Sequence, residues 1–303
     1  YIQTNQNRLV AIASSSVISE GIFEIDLLDN SWVHTPASSC ILDPMTISIG
    51  ESFWFIGSNE EKVHAWYYPP LNSQILLPPL LVKSHSGPTG MASSGLDLEV
   101  QFWTSRGWAV VDVNYSGSSG FGREYRDRLI GNWGLIDVVD CTKAAQSLIS
   151  SGKANKDRIA IIGSSASGFT ALGCLMSTDA FNIASCKYPV TDLIDMAKST
   201  HRFEEFYLDY LIGNIESNYQ QYIQRSPIEN VNKINVPLIL FHGSKDKVVS
   251  SDQSIELKDK LLKCDIPVEI NLFENEGHGF KDAQIKVEVL KKTEAFFRKH
   301  LNT

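Results

Sequence analysis

From residue 80 onward the chain alternates short apolar runs with longer amphipathic stretches, and this rhythm restricts the fold more than any other feature. The apolar runs cover residues 80–83, 108–113, 158–163, 183–188, 237–241 and 268–273. Helix-like segments fall between or after them at residues 96–105, 136–150, 167–176, 252–262 and 283–299. Strands without a polar face, each followed by a helix, predict a mostly parallel sheet covered on both sides. A chain of 303 residues can build one large domain of this kind or two smaller ones. Its 43% hydrophobic and 20% charged residues suit a globular fold rather than a disordered chain.

The first part of the chain has a different pattern. Short strand-like runs at residues 9–13 and 21–27 are separated by a serine-rich break, Asp29-Asn30 forms a turn, and Trp32-Val33 resumes. Apolar and polar residues alternate along 22–27, as expected of a half-buried antiparallel strand. A second strand pair, 51–56 and 63–68, flanks the turn-forming Gly57-Ser58-Asn59. Residues 192–213, rich in Phe and Tyr, read as a helical insertion over the strand ends.

Parallel sheets carry their chemistry in the loops beyond the carboxyl ends of the strands. One such place is Ile162-Gly163-Ser164-Ser165-Ala166-Ser167-Gly168, where an apolar strand meets small residues and then a helix. A nucleophile elbow has this form, G-x-S-x-G, because strand and helix nearly touch on either side of the serine. Ser164, Ser165 and Ser167 are all candidates. Ser165 alone has a glycine two residues before it and is assigned as the nucleophile, although Ser167 stands where the pattern has its second glycine.

Two later strand ends supply partners. Asp246 follows the run 237–241, and His278, between Gly277 and Gly279, follows the run 268–273. The order Ser165, Asp246, His278 is that of α/β-hydrolases. Serine is a weak nucleophile at neutral pH, so the histidine must accept its proton and return it to the leaving group, held in the correct tautomer by the aspartate. His242 competes for the base role, but it precedes Asp246 by only four residues and reads as structural. The loop His85-Ser86-Gly87-Pro88, after the run 80–83, places a backbone N–H near Ser86 beside that of Ala166 as an oxyanion hole.

Charge and cysteine usage exclude other chemistries. Twenty-seven Lys and Arg against thirty-five Asp and Glu give a net charge of −8, which argues against nucleic-acid or anionic-membrane partners. No apolar stretch reaches the roughly eighteen residues of a membrane span. Cys40, Cys141, Cys174, Cys186 and Cys264 lie far apart, which suggests reduced thiols rather than disulfides or a zinc site and points to a cytoplasmic location. No metal or organic cofactor is called for. The chain starts with Tyr and without a leader-like segment, so it reads as a fragment or a processed product.

Taken together, these residues resemble the prolyl oligopeptidase family of serine peptidases, in its acylaminoacyl-peptidase-like and dipeptidyl-peptidase-like branch. The likeness runs from about residue 51 to the end. It rests on His85-Ser86-Gly87-Pro88, on residues 112–122 (Asp-Val-Asn-Tyr-Ser-Gly-Ser-Ser-Gly-Phe-Gly), on Asn132-Trp133-Gly134 with Asp137 and Asp140, and on the Ser165 turn. It continues through Tyr188-Pro189-Val190-Thr191-Asp192, Arg225-Ser226-Pro227, the Asp246 loop and Gly277-His278-Gly279-Phe280.

The resemblance implies an α/β-hydrolase domain over residues 46–303, preceded by the last strands of a β-propeller in residues 1–45. It implies a pocket for the residue before the scissile bond, lined by Tyr188, Val190, Phe203 and Tyr207. The expected activity is hydrolysis of short peptides through an acyl-enzyme, in a monomer or a homo-oligomer. An esterase with the same triad is the alternative. A catalytically weakened binding protein is the other, because Ser86 and Ser167 replace family glycines and Ser116 stands where the family often has Arg.

Overall fold

A computed structural model describes residues 2–38, 42–71, 76–199 and 206–301. Four strands open the chain: β1 (Ile2–Asn5), β2 (Arg8–Ala13), β3 (Gly21–Asp26) and β4 (Trp32–Pro36). They pair in sequence order as an antiparallel meander, the arrangement of a propeller blade. The described remainder forms one larger unit. Its elements are β5 (Glu51–Ile56), β6 (Lys62–Tyr68), β7 (Leu80–Ser84), α1 (Leu98–Thr104), β8 (Ala109–Asn114), α2 (Arg123–Asp127), α3 (Ile136–Ser150), β9 (Ile159–Ser164) and α4 (Ala166–Ser177). There follow β10 (Ile183–Lys187), α5 (Leu193–Ser199), α6 (Tyr207–Leu211), α7 (Ile215–Arg225), β11 (Leu238–Gly243), α8 (Ser251–Leu262), β12 (Val268–Phe273) and α9 (Ala283–Leu301).

The eight strands of the large sheet are ordered β12-β11-β10-β9-β7-β8-β6-β5. The run from β12 to β8 is parallel throughout. β6 joins β8 antiparallel and β5 joins β6 antiparallel, so the early hairpin becomes one edge of the sheet. This is the α/β-hydrolase fold. Its central strands are buried along their length, with every residue of β8 and β11 enclosed. That explains why they read as unbroken apolar runs.

Helices cover both faces, and the apolar residues divide into two layers accordingly. One layer holds Phe169, Leu172, Leu148 and Leu257 from α3, α4 and α8. The other holds Trp103, Val289, Phe296 and Phe297 from α1 and α9. Local chemistry sets several helix starts. Asp97 caps α1 by accepting the Glu99 and Val100 N–H groups at 2.8 and 3.4 Å, so this helix begins two residues later than the apolar pattern predicts. Ser250 caps α8 through Asp252 N–H at 3.2 Å. The helix α7 was not foreseen. It carries Arg225, whose buried guanidinium donates to the carbonyls of Trp133 and Gly131 at 2.9 and 3.0 Å and so ties the inserted helices to the loop before α3.

Candidate active site

Ser165 occupies the turn between β9 and α4 with φ 54° and ψ −120°, a left-handed strain for a residue with a side chain. The neighbouring glycines make this possible. A Cβ on Gly163 would lie 2.2 Å from the Ser167 carbonyl oxygen, and one on Gly168 would lie 2.7 Å from the Pro189 ring. The elbow is also hydrogen-bonded to the end of β10 and to the turn beyond that strand. Ser165 N–H donates to Lys187 O at 3.0 Å, and Val190 N–H donates to Ser165 O at 3.4 Å.

The other two strand ends converge on this turn. Gly243, at the end of β11, lets the loop after β12 pass against it, since a Cβ there would sit 2.3 Å from the Glu276 carbonyl oxygen. Lys245 N–H donates to that same oxygen at 2.9 Å. As a result His278 Nε2 lies 2.9 Å from Ser165 Oγ, and its Nδ1 lies 2.7 Å from Asp246 Oδ2. Asp246 has a fully enclosed side chain. Burial alone would keep it protonated, but hydrogen bonds from His242 and His278 and from the Val249 and Val248 N–H groups prevail and hold its carboxyl well below the usual range. The three residues form a hydroxyl–imidazole–carboxylate chain able to move a proton off the serine.

His242 takes no part in that transfer. It is fully buried, with Nδ1 2.7 Å from Ser254 Oγ and Nε2 3.0 Å from the Val249 carbonyl and 3.4 Å from Asp246. His85 anchors the 85–88 loop from within. Its Nδ1 lies 3.1 Å from Gly87 O, its Nε2 lies 2.7 Å from Ser118 Oγ, and its ring stacks on Tyr115 with centroids 4.5 Å apart. Burial pushes its pKa down to about 4 against the backbone contacts of Gly87 and Ser86, which keeps the ring neutral near pH 7.

The two serines that depart from the glycine pattern meet at one carbonyl. Ser86 Oγ donates to Ser164 O at 3.0 Å, and Ser167 Oγ donates to the same oxygen at 3.0 Å while accepting Ser164 N–H at 2.8 Å. Neither hydroxyl is aimed at Ser165. Instead they fasten the strand end that carries it.

A cavity of about 740 Å³ opens beside Ser165, Ala166, Ser86 and His278. Its apolar wall includes Val190 and Tyr207, as expected, together with Trp133, Tyr210 and Val248, which sequence reasoning missed. Tyr207 Oη lies 2.8 Å from Thr89 Oγ1 and so links α6 to the segment that follows Pro88. Phe203 lies outside the described residues.

Tyr188 differs from expectation, because it is not part of this wall. It sits at φ 38° with its ring centroid 4.7 Å from that of His278 and 5.2 Å from that of Phe280, and Ser164 hydrogen-bonds its hydroxyl. Its ring packs against the imidazole and does not line the pocket. Val190, two residues further on, does line the cavity, and no local pattern announces that difference. Glu276 was also missed. Its buried carboxylate accepts the Lys281 and Asp282 N–H groups at 2.7 and 3.0 Å and fixes the loop on which His278 rides.

Asp137 and Asp140, part of the motif after Trp133, are structural. Asp137 accepts Gly134 N–H and the Thr170 hydroxyl, each at 2.6 Å. Asp140 accepts the N–H groups of Ser58 and Ser116 at 2.6 and 2.7 Å. Ser116 is buried, and its own hydroxyl finds no partner among the described residues. Among those residues no group of three or more His, Cys, Asp or Glu is placed to hold a metal ion, and no helix is long and apolar enough to cross a membrane. Cys141, Cys174 and Cys186 are buried free thiols, Cys264 is an exposed one, and Cys40 lies outside the described residues.

The sequence profile described as the prolyl oligopeptidase family matches residues 94–303. Among curated proteins, the chain is similar to dipeptidyl aminopeptidase BIII of Pseudoxanthomonas mexicana, with 28% identity over 208 residues, 67% of this chain and 30% of that protein. It is also 28% identical over 235 residues to acylamino-acid-releasing enzyme 1 of Oryza sativa subsp. japonica, covering 74% of this chain and 30% of the relative. Among solved structures, a Mycobacterium tuberculosis puromycin-hydrolyzing peptidase matches with a TM-score of 0.95 and 35% identity, over 99% of this chain and 47% of that one. The chain thus spans 30% of the length of these two curated relatives.

Proposed function

The chain belongs to the prolyl oligopeptidase family, and from that premise we propose that it hydrolyses short peptides as a serine peptidase. The observation that carries this reading is the Ser165–His278–Asp246 chain, at 2.9 and 2.7 Å, at the mouth of an apolar cavity. Residues 1–45 are read as the end of a propeller and residues 46–303 as the catalytic domain.

In the proposed reaction Ser165 Oγ attacks the scissile carbonyl carbon while its proton passes to His278 Nε2. The Nδ1–H donates to ionised Asp246, which stabilises the imidazolium. The carbonyl π electrons move to oxygen, and the oxyanion is held by N–H groups of Ala166 and the Ser86 loop; losing one such donor typically costs about 3–4 kcal/mol of barrier. The C–N bond then breaks, with the His278 proton transferred to the departing amine. Water, deprotonated by the same imidazole, attacks the acyl-Ser165 ester; the C–Oγ bond then breaks as the imidazolium returns that proton to Ser165 Oγ, and the acid is released. The apolar wall of Val190, Tyr207 and Trp133 suits an apolar side chain on the acyl residue. The serines at 86 and 167 bond to Ser164 and leave the backbone donors in place, which favours a working enzyme over a weakened binding protein.

The test is fluorophosphonate labelling of the folded protein, together with turnover of aminoacyl and dipeptidyl amides and of the matching esters. Labelling and amide cleavage, both lost in Ser165→Ala, are expected. A folded protein whose Ser165 stays unlabelled would overturn the reading, and ester turnover without any amide turnover would convert it to an esterase.

A further inference from the structure

Part of the apolar wall beside Ser165 is built from two segments far apart in the chain. Trp133 comes from the loop before α3, and Tyr210 and Leu211 come from the end of α6. Two backbone hydrogen bonds join them. Gly131 N–H donates to Tyr210 O at 3.0 Å, and Trp133 N–H donates to Leu211 O at 3.1 Å. The carbonyls of Gly131 and Trp133 still need donors of their own.

Arg225, at the end of α7, supplies both. Its Nη1 donates to Trp133 O at 2.9 Å and its Nη2 to Gly131 O at 3.0 Å, while Nη2 also donates to Gln221 Oε1, one turn earlier on the helix, at 2.6 Å. All three acceptors are neutral, and the residue is 8% exposed. Burial lowers its pKa against the pull of the nearby Asp137 carboxylate, which places its own hydrogen bonds on Gly134 N–H and the Thr170 hydroxyl. Burying a charge without a hydrogen-bonded carboxylate is costly, and a side chain needed only for packing would be apolar.

The loop is also blocked on the side of α4. The ring centroids of Trp133 and Phe169 lie 4.4 Å apart, and a Cβ on Gly134 would come within 2.8 Å of the Phe169 ring. Phe169 thus stops the loop from moving toward α4, and the guanidinium stops it from moving away.

We propose that Arg225 is a positioning residue that holds Trp133 and the end of α6 in register, and so sets the preference for a large apolar side chain before the scissile bond. That an acyl side chain fills this cavity rests on the peptidase reading above. Arg225 is not among the residues that line the cavity, so it acts through Trp133, Tyr210 and Leu211. Lysine cannot replace it, because a compact ammonium lacks the planar fork that reaches two carbonyls at once.

Two substrates with the same leaving group, differing only in Phe or Ala as the acyl residue, test this in the parent and in Arg225→Lys. The parent is expected to favour Phe. Arg225→Lys should shrink the ratio of the two kcat/KM values about tenfold, through KM for the Phe substrate and with kcat nearly unchanged. Labelling of Ser165 by a small fluorophosphonate that leaves the cavity empty should stay within about twofold. A general loosening of the fold would slow labelling and both substrates alike; that result, an unchanged ratio, or no preference in the parent overturns the proposal. Should Arg225→Lys fail to fold, Gln221→Ala keeps the test in force by removing the acceptor that orients the guanidinium. Its ratio should fall about threefold, and an unchanged one overturns the proposal. Calorimetry on the Ser165→Ala protein separates this from catalysis: phenylalaninamide should bind more tightly than alaninamide, and Arg225→Lys should narrow the gap. A narrowed gap with no amide or ester cleaved by the parent would keep the role of Arg225 and remove the peptidase reading. Amide cleavage with the gap unchanged would do the reverse.

Discussion

The two sheets of this molecule use similar residues to opposite ends. In the small sheet β1 is exposed along its whole length, and β4 leaves Trp32 57% and Val33 64% exposed. In the large sheet Val110, Val111 and Val113 on β8 are all fully buried. β-branched and aromatic residues favour a strand in either setting. What differs is the covering: helices close both faces of the large sheet, whereas nothing in the described chain closes the small one. Strand formation is therefore a local property here, and burial is not. The proposed chemistry follows burial, since all three triad residues sit on loops of the large sheet, while among the described residues the small sheet gives none to the cavity beside Ser165.

That contrast can be broken at several points, the largest being at the site itself. His278→Ala should lower kcat/KM at least about a thousandfold, about 4 kcal/mol of barrier, with the fold retained and the melting temperature modestly lowered, because the enclosed Asp246 carboxylate loses one of its donors. Steady-state kinetics with a thermal melt decide this, and retention of most of the activity would mean that the proton moves elsewhere. Next in size is a pair of truncations. Val111→Ala should cost about 2–3 kcal/mol of unfolding free energy, while Val33→Ala, on the open sheet, should cost under about 0.5 kcal/mol. Denaturant unfolding of both variants measures the difference. Equal costs would show that the small sheet is covered after all.

The smallest effect concerns Asp137, a carboxyl enclosed beneath the large sheet. Burial raises its pKa to about 6 against hydrogen bonds from Thr170 and Gly134. A carboxyl that holds its proton more tightly when folded makes the folded state lose stability as pH rises from about 4 to 6. The penalty is fully in force at pH 7 and is at most about 3 kcal/mol. Asp137→Asn, whose Oδ1 can still accept Gly134 N–H while its Nδ2 donates to Thr170 Oγ1 with that hydroxyl turned to the Ala166 carbonyl, should therefore raise the melting temperature at pH 7.5 and leave it nearly unchanged at pH 4. Asp246 has the opposite sign. Its depressed pKa contributes stability above the ordinary carboxylate range that is lost only as the pH falls well into the acid region. A Tm gain for Asp137→Asn that is the same at both pH values would refute the assignment.

Much of the site could be read from the sequence because its signals are local. Small residues around Ser165, glycines beside His278 and an acid just past an apolar strand each follow from what a single turn demands. Three features were not legible for the opposite reason. Tyr188 looked like a pocket residue, yet its ring packs against that of His278. Glu276 carries no sequence signal of a role, yet its carboxylate pins that loop. Tyr210 reaches the cavity from the inserted helices and Trp133 from the loop before α3, and no periodicity reveals that these two segments meet there.

The sequence by itself determined that parallel strands would be built, which turns would be tight, and in what order a hydroxyl, an acid and an imidazole would reach strand ends. Only the tertiary structure decided which strands are neighbours, with β7 inserted between β9 and β8. That order places Ser86 against Ser164 and Asp112 beside Lys83. Turn and strand preferences act over a few residues, whereas these contacts join segments far apart along the chain and exist only once the sheet has fixed its order.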